Sequence, residues 1–181
     1  MGGIQIPASP ARPGRPGGAG RPVIRVLVAE DVRVVRDTLV ALLGLEADIE
    51  VAVAVASGDQ IVPAALEYRP DVALLDIGLP GADGLTAAAE LAGRLPGCRV
   101  LILTGLQASG NLSAAMRAGA YGFLLKDKPA AELIGAVRAV ARGERVVDSR
   151  LAGPACQPDG DPGQAREPGQ GREDGAAGSP R

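Results

Sequence analysis

Between Val23 and Leu151, short aliphatic runs alternate with longer segments in which apolar residues recur every three or four positions. The runs are VIRVLVA (23–29), IEVAVAVA (49–56), DVALLD (71–76), RVLILT (99–104) and YGFLLK (121–126). Three of them are nearly continuous in apolar residues, the pattern of strands buried on both faces, so five strands are expected. Between the runs, Val32, Val35, Leu39, Leu42 and Leu43 repeat at helical spacing, and Leu85, Ala88, Leu91, Ala92 and Leu95 do the same further on. Leu112, Ala115, Met116 and Gly119 give a third stripe, and Leu133, Ile134, Val137 and Val140 a last one. The segment after Ser57 has a weaker pattern. There Asp59 is placed to cap a helix, and Pro63 belongs in or near its first turn, where a missing N–H costs little. Strand–helix alternation repeated five times predicts a parallel sheet with right-handed crossovers and helices on both faces, a three-layer α/β domain.

Composition sets the limits of that domain. Residues 1–22 carry five prolines and six glycines and residues 152–181 carry five more prolines and seven glycines, which leaves only five prolines between Val23 and Leu151. Segments that lack aliphatic runs do not offset the chain entropy lost on ordering, so both ends are expected to be disordered coil. The expected division is a Gly/Pro/Arg arm at 1–22, a folded domain at 23–148 and a Gly/Pro-rich tail at 149–181. The net charge of −2 does not describe a nucleic-acid-binding surface, and Arg12, Arg15 and Arg21 read as a solvated arm. Cys98 and Cys156 match no metal or redox spacing, which favours a reduced intracellular protein. The N-terminus has no apolar core of a signal peptide, and nothing approaches the ~20 apolar residues of a membrane span. A cytoplasmic protein without membrane contact is expected.

Ligands of open parallel sheets bind beyond the carboxyl ends of the strands. Here the first strand ends at Glu30-Asp31, the third at Asp76, the fourth at Thr104 and the fifth at Lys126, so four of five strands deliver an acid, a hydroxyl or an ammonium to one edge. Crowded carboxylates repel unless a cation joins them, and oxygen ligands without His or Cys favour a hard cation such as Mg²⁺. A metal beside a carboxylate, a lysine and a hydroxyl suits a phosphoryl group, with Asp76 as the nucleophile that forms an acyl phosphate. In the turn GLPGADG after Asp76, Gly78 and Gly81 are expected to let backbone approach the metal and phosphoryl group, and Pro80 to stop the strand. Any one polar strand end is more often a cap or a solvated side chain. The weight lies in their conjunction.

The runs VLVAEDVRVVRDTL, PDVALLDIGLPGADGL and AGAYGFLLKD resemble the receiver domain of bacterial two-component response regulators, in the subgroup whose receivers precede a LuxR-type helix-turn-helix. The resemblance runs from Val23 to about Asp148. It implies the flavodoxin-like strand order 2-1-3-4-5, with phosphoryl transfer to Asp76 from a sensor histidine kinase. It also implies Mg²⁺ bound by Asp31, Asp76 and the Gly78 carbonyl, with Glu30 acting partly through water. Lys126 would contact the phosphoryl group, Thr104 would close on it, and Phe123 would be the switch aromatic that turns inward, Tyr121 being out of register. Phosphorylation would then remodel the face made by the fourth helix, fifth strand and fifth helix and promote dimerisation there. The chain has no histidine, so the phosphohistidine donor is a separate kinase.

Two departures bear on the carry-over. Lys126 precedes Asp127 where many receivers have proline, so no cis bond is assumed. After Leu151 the tail has no Leu, Ile, Val or aromatic residue from which to pack a recognition helix, so specific DNA binding is not expected. Either this is a stand-alone receiver acting through protein contacts, or the tail is a shifted reading frame, which its Gly, Pro, Arg and Ala content favours. A competing enzyme reading, a Mg²⁺-dependent aspartyl-phosphate hydrolase, wants an acid two residues after the nucleophile, where Gly78 stands. A dinucleotide site is disfavoured because GGAG at 17–20 follows no strand.

Overall fold

Each of the five apolar runs becomes a strand in the structure, a computed structural model that describes residues 22–105 and 111–151. In chain order the elements are β1 (Ile24–Ala29), α1 (Arg33–Gly44), β2 (Ile49–Val55), α2 (Ile61–Tyr68), β3 (Val72–Asp76), α3 (Gly84–Arg94), β4 (Arg99–Thr104), α4 (Leu112–Arg117), β5 (Gly122–Leu125), α5 (Ala130–Arg142) and β6 (Val146–Val147). The sheet is parallel throughout, in the order β2-β1-β3-β4-β5-β6. Its first five strands have the flavodoxin-like order 2-1-3-4-5 that the resemblance to receiver domains implies. The sixth is a correction to the expected count: two residues are too short to show a period, and only their docking on β5 makes them a strand.

Alternation along the strands divides the core in two. Leu27, Ala29, Ala73, Leu75, Val100, Ile102 and Phe123 face one side and pack with α2, α3 and α4. Val26, Val28, Val72, Leu74, Leu101, Leu103 and Leu124 face the other and pack with α1 and α5. A large aliphatic side chain fully buried in this way contributes roughly 1.5–3 kcal/mol, so the two layers fix which strand residues reach the sheet edge. β2 carries a register shift opposite Val26 and Leu27, where Val51 and Val53 are the successive partners.

Three local expectations are revised. Val32 does not join the α1 stripe; it occupies the N-cap position and is half exposed. Asp59 caps nothing, because it lies in a single 3₁₀ turn, Gly58–Gln60, that leads into α2, with Pro63 third in that helix. The segment 149–151, expected to open the tail, is held to the domain by a Leu151 N–H to Asp148 carbonyl bond of 2.9 Å and by packing of Leu151 on the core. Residues 1–21 and 152–181, with Cys156, the GGAG stretch and the three arm arginines, lie outside the described residues. Among the described residues no helix is long and apolar enough to cross a membrane.

Candidate functional site

Strand register brings the polar strand ends together. Ala29 pairs with Leu75, Asp76 with Leu103, and Thr104 with Leu125. Glu30, Asp76, Thr104 and Lys126 therefore end neighbouring strands, each at most one residue step from the next, although 96 positions separate the first from the last. Carboxylate oxygens of Glu30, Asp31 and Asp76 lie within 4.8 Å of one another. Glu30 and Asp76 are buried and Asp31 is exposed, so the cluster opens to solvent on one side.

Lys126 crosses into this cluster. Its Nζ lies 2.6 Å from Glu30 Oε2 and 3.0 Å from Asp76 Oδ2. Burial pushes the Glu30 carboxyl above its usual range, and the Lys126 charge only partly offsets that. Burial works against the Lys126 ammonium as well, but its pairing with Glu30 and Asp76 prevails and raises its pKa. Glu30 Oε2 is buried without a hydrogen bond of acceptable angle; the lysine charge is what compensates it. A buried oxygen in that condition, beside two more carboxylates and with no His or Cys in the cluster among the described residues, fits a hard cation.

Other side chains shape the cluster. Arg36, which the sequence pattern does not single out, donates from Nη1 to the carbonyls of Glu30 (2.7 Å) and Asp31 (3.3 Å) and so braces the turn that carries both acids. The Val32 N–H donates to Glu30 Oε1 at 3.3 Å. Thr104 is buried, and its hydroxyl donates to the Gly105 carbonyl at 3.2 Å. Residues 106–110, which follow Gly105 in the chain, lie outside the described residues.

Three glycines shape the turn after Asp76. A Cβ on Gly78 would sit 3.6 Å from Asp76 Oδ2, an ordinary contact with the protein's own atoms. Gly81 is needed for its backbone, at φ +85°. The close approach is made by Gly84, the first residue of α3, whose Cβ would collide with the Asp76 carbonyl oxygen. Asp83 caps that helix, accepting from the Thr86 N–H at 2.7 Å. Phe123 is fully buried among the α2, α3 and α4 side of the core. The switch aromatic implied by the resemblance, which would turn inward on phosphorylation, is inward in this structure. The guanidiniums of Arg99 and Arg145 lie over the ring of half-buried Tyr121, 5.5 and 5.8 Å from its centre. Cys98 is a free, buried thiol pushed up to about 12 by desolvation and by the nearby Asp71 carboxylate, which makes it unreactive.

Comparison with known proteins agrees with this geometry. Residues 26–138 match the response regulator receiver domain family. The transcriptional regulatory protein DesR of Bacillus subtilis is 40% identical over 128 residues, which cover 71% of this chain and 63% of DesR. The oxygen regulatory protein NreC of Staphylococcus epidermidis is 36% identical over 129 residues, covering 71% of this chain and 59% of NreC. The crystal structure of a two-component response regulator of the LuxR family from an Aurantimonas species superposes with a TM-score of 0.68 at 28% identity, covering 72% of this chain and 93% of that one. The match thus spans about three-fifths of the length of these two curated relatives.

Proposed function

Because the chain belongs to the response regulator receiver family, we propose that Asp76 is the residue on which it accepts a phosphoryl group from a sensor histidine kinase. The observation that carries this reading is the pairing of Asp76 with Lys126 at 3.0 Å, inside a cluster that also holds Glu30 and Asp31. In the transfer, an Asp76 carboxylate oxygen forms a bond to phosphorus while the bond from phosphorus to the kinase imidazole nitrogen breaks. The imidazole keeps that electron pair and the acyl phosphate remains on Asp76. Lys126 is close enough to supply positive charge to the phosphoryl oxygens, and in exchanging partners it would release Glu30. Thr104, one step beyond the Asp76 partner Leu103 in β4, stands beside the same edge and would close on the phosphoryl group by breaking its bond to the Gly105 carbonyl.

Asp31, Asp76 and the Gly78 carbonyl would hold Mg²⁺, with Glu30 contributing through water. When bound, the ion supplies charge neutralisation for the phosphoryl oxygens. Arg36 keeps the Glu30-Asp31 backbone in place for this set. The chemistry is confined to the chain's own acyl phosphate, which makes this a signalling domain. Its output would be a change of the α4–β5–α5 face that promotes dimerisation, and control of transcription in the whole protein, as the names of its relatives suggest.

Incubation with acetyl phosphate or a cognate kinase and Mg²⁺ should label the protein at one acid-stable, base-labile site, and Asp76→Asn should abolish the label. Unchanged labelling in that variant would sink the assignment.

A further inference from the structure

The loop that carries Lys126 is tied to the far end of the domain by a network outside the acid cluster. Lys126 and Asp127 form the corner of the turn between β5 and α5, closed by the Lys128 N–H donating to the Leu125 carbonyl at 3.4 Å. On one side the turn is anchored to β4, where the Lys126 N–H donates to the Thr104 carbonyl at 2.8 Å. On the other side Arg150, in the segment after β6, forks onto Asp127: Nη1 to Oδ2 at 2.9 Å and Nη2 to Oδ1 at 2.6 Å. Arg150 is held in turn by Asp148, whose Oδ1 accepts from the Arg150 N–H at 3.0 Å and whose Oδ2 lies 3.3 Å from Nη2. Asp148 is buried, pairs with Lys128 at 3.4 Å and donates its own N–H to the Phe123 carbonyl at 2.9 Å.

The arrangement is directional. Lys126 reaches into the acid cluster, while its neighbour Asp127 is gripped by a planar fork that fixes orientation as well as distance. An isolated exposed ion pair would contribute little, but this one is bidentate and continues into a buried carboxylate bonded to the β5 backbone. We propose that Arg150, acting through Asp127, is a positioning residue for Lys126: it holds the turn so that the ammonium is aimed at Asp76, and it ties the state of the acid cluster to the segment after β6. This inference rests on the reading of Asp76 as phosphoryl acceptor.

The test is a double-mutant cycle on the full chain. The probe is beryllium fluoride, a phosphoryl mimic, titrated at fixed Mg²⁺ and followed by the rise in thermal midpoint. Arg150→Ala and Asp127→Ala should each weaken the mimic roughly three- to tenfold, with the double variant no weaker than the worse single one. Arg150→Lys should recover only part, since one ammonium does not make a fork. A mere charge effect predicts opposite signs, because removing Asp127 takes a negative charge away from an anion site and removing Arg150 takes away a positive one. A purely structural role lowers the midpoint of the ligand-free protein and leaves the titration unmoved. Opposite signs, additive losses or unchanged titrations would overturn the inference while the response of the unaltered chain upholds Asp76. If the unaltered chain itself does not respond, the reading of Asp76 falls and the inference falls with it.

Discussion

Replacing Lys126 by methionine keeps much of the side-chain length and removes the charge that compensates Glu30. The ammonium lies 2.6 Å from a carboxylate whose side chain is 1% exposed, so the variant strands a buried negative charge beside Asp76. Breaking a buried pair from one side costs about 3–5 kcal/mol, and the 27% exposure of the Lys126 side chain points to the low end, about 3 kcal/mol. An independent ceiling comes from the escape open to the protein, protonation of Glu30. Relative to an unfolded chain in which that group titrates at 4.5, protonation costs about 1.4 kcal/mol per pH unit, hence roughly 4.8 kcal/mol at pH 8 and roughly 1.4 kcal/mol at pH 5.5. The sign follows from linkage: burial raises the folded-state pKa of Glu30, more so once Lys126 is gone. The penalty is therefore fully present above that raised pKa and is lost as pH falls toward 4.5. Thermal unfolding in chelator should show Lys126→Met melting roughly 10 °C below the parent at pH 8 and only a few degrees below it at pH 5.5. Equal stability at pH 8, or the same deficit at both pH values, would refute the claim that the lysine compensates a buried ionised Glu30.

Two further outcomes test neighbouring parts of the site. Millimolar Mg²⁺ should raise the thermal midpoint, stabilising by roughly 1.4 kcal/mol at ten times its dissociation constant, and Asp31→Asn should weaken the effect while stabilising the metal-free protein by relieving repulsion; a midpoint unmoved at tens of millimolar would count against a metal site. Gly84→Ala places a Cβ against the Asp76 carbonyl and should cost about 1–3 kcal/mol, together with slower labelling of Asp76. Gly93→Ala, on the same helix with open space around it, should stabilise by roughly 0.5–1 kcal/mol, and matching effects at the two positions in chemical denaturation would contradict the packing described.

Local periodicity carried most of the architecture. Runs such as VALLD and RVLILT are strands because their alternate side chains must be buried on two faces, and that requirement is written in neighbouring residues. The same locality placed Glu30, Asp76, Thr104 and Lys126 at strand ends, and parallel order then required those ends to meet. Tertiary structure decided everything that depends on pairing across the chain. The two residues of β6 are a strand only because β5 offers them an edge. Phe123 is inward because α2, α3 and α4 close over it, and Gly84 matters through the Asp76 carbonyl eight positions away, with no trace in the hydrophobic pattern. Arg36 and Arg150 looked like any surface arginine in the sequence, since a charged side chain has no periodicity and its partner is chosen by distance in the folded state. Asp127 and Arg150 are 23 residues apart, and only the docking of β6 along β5 brings the fork within reach of the turn that carries Lys126.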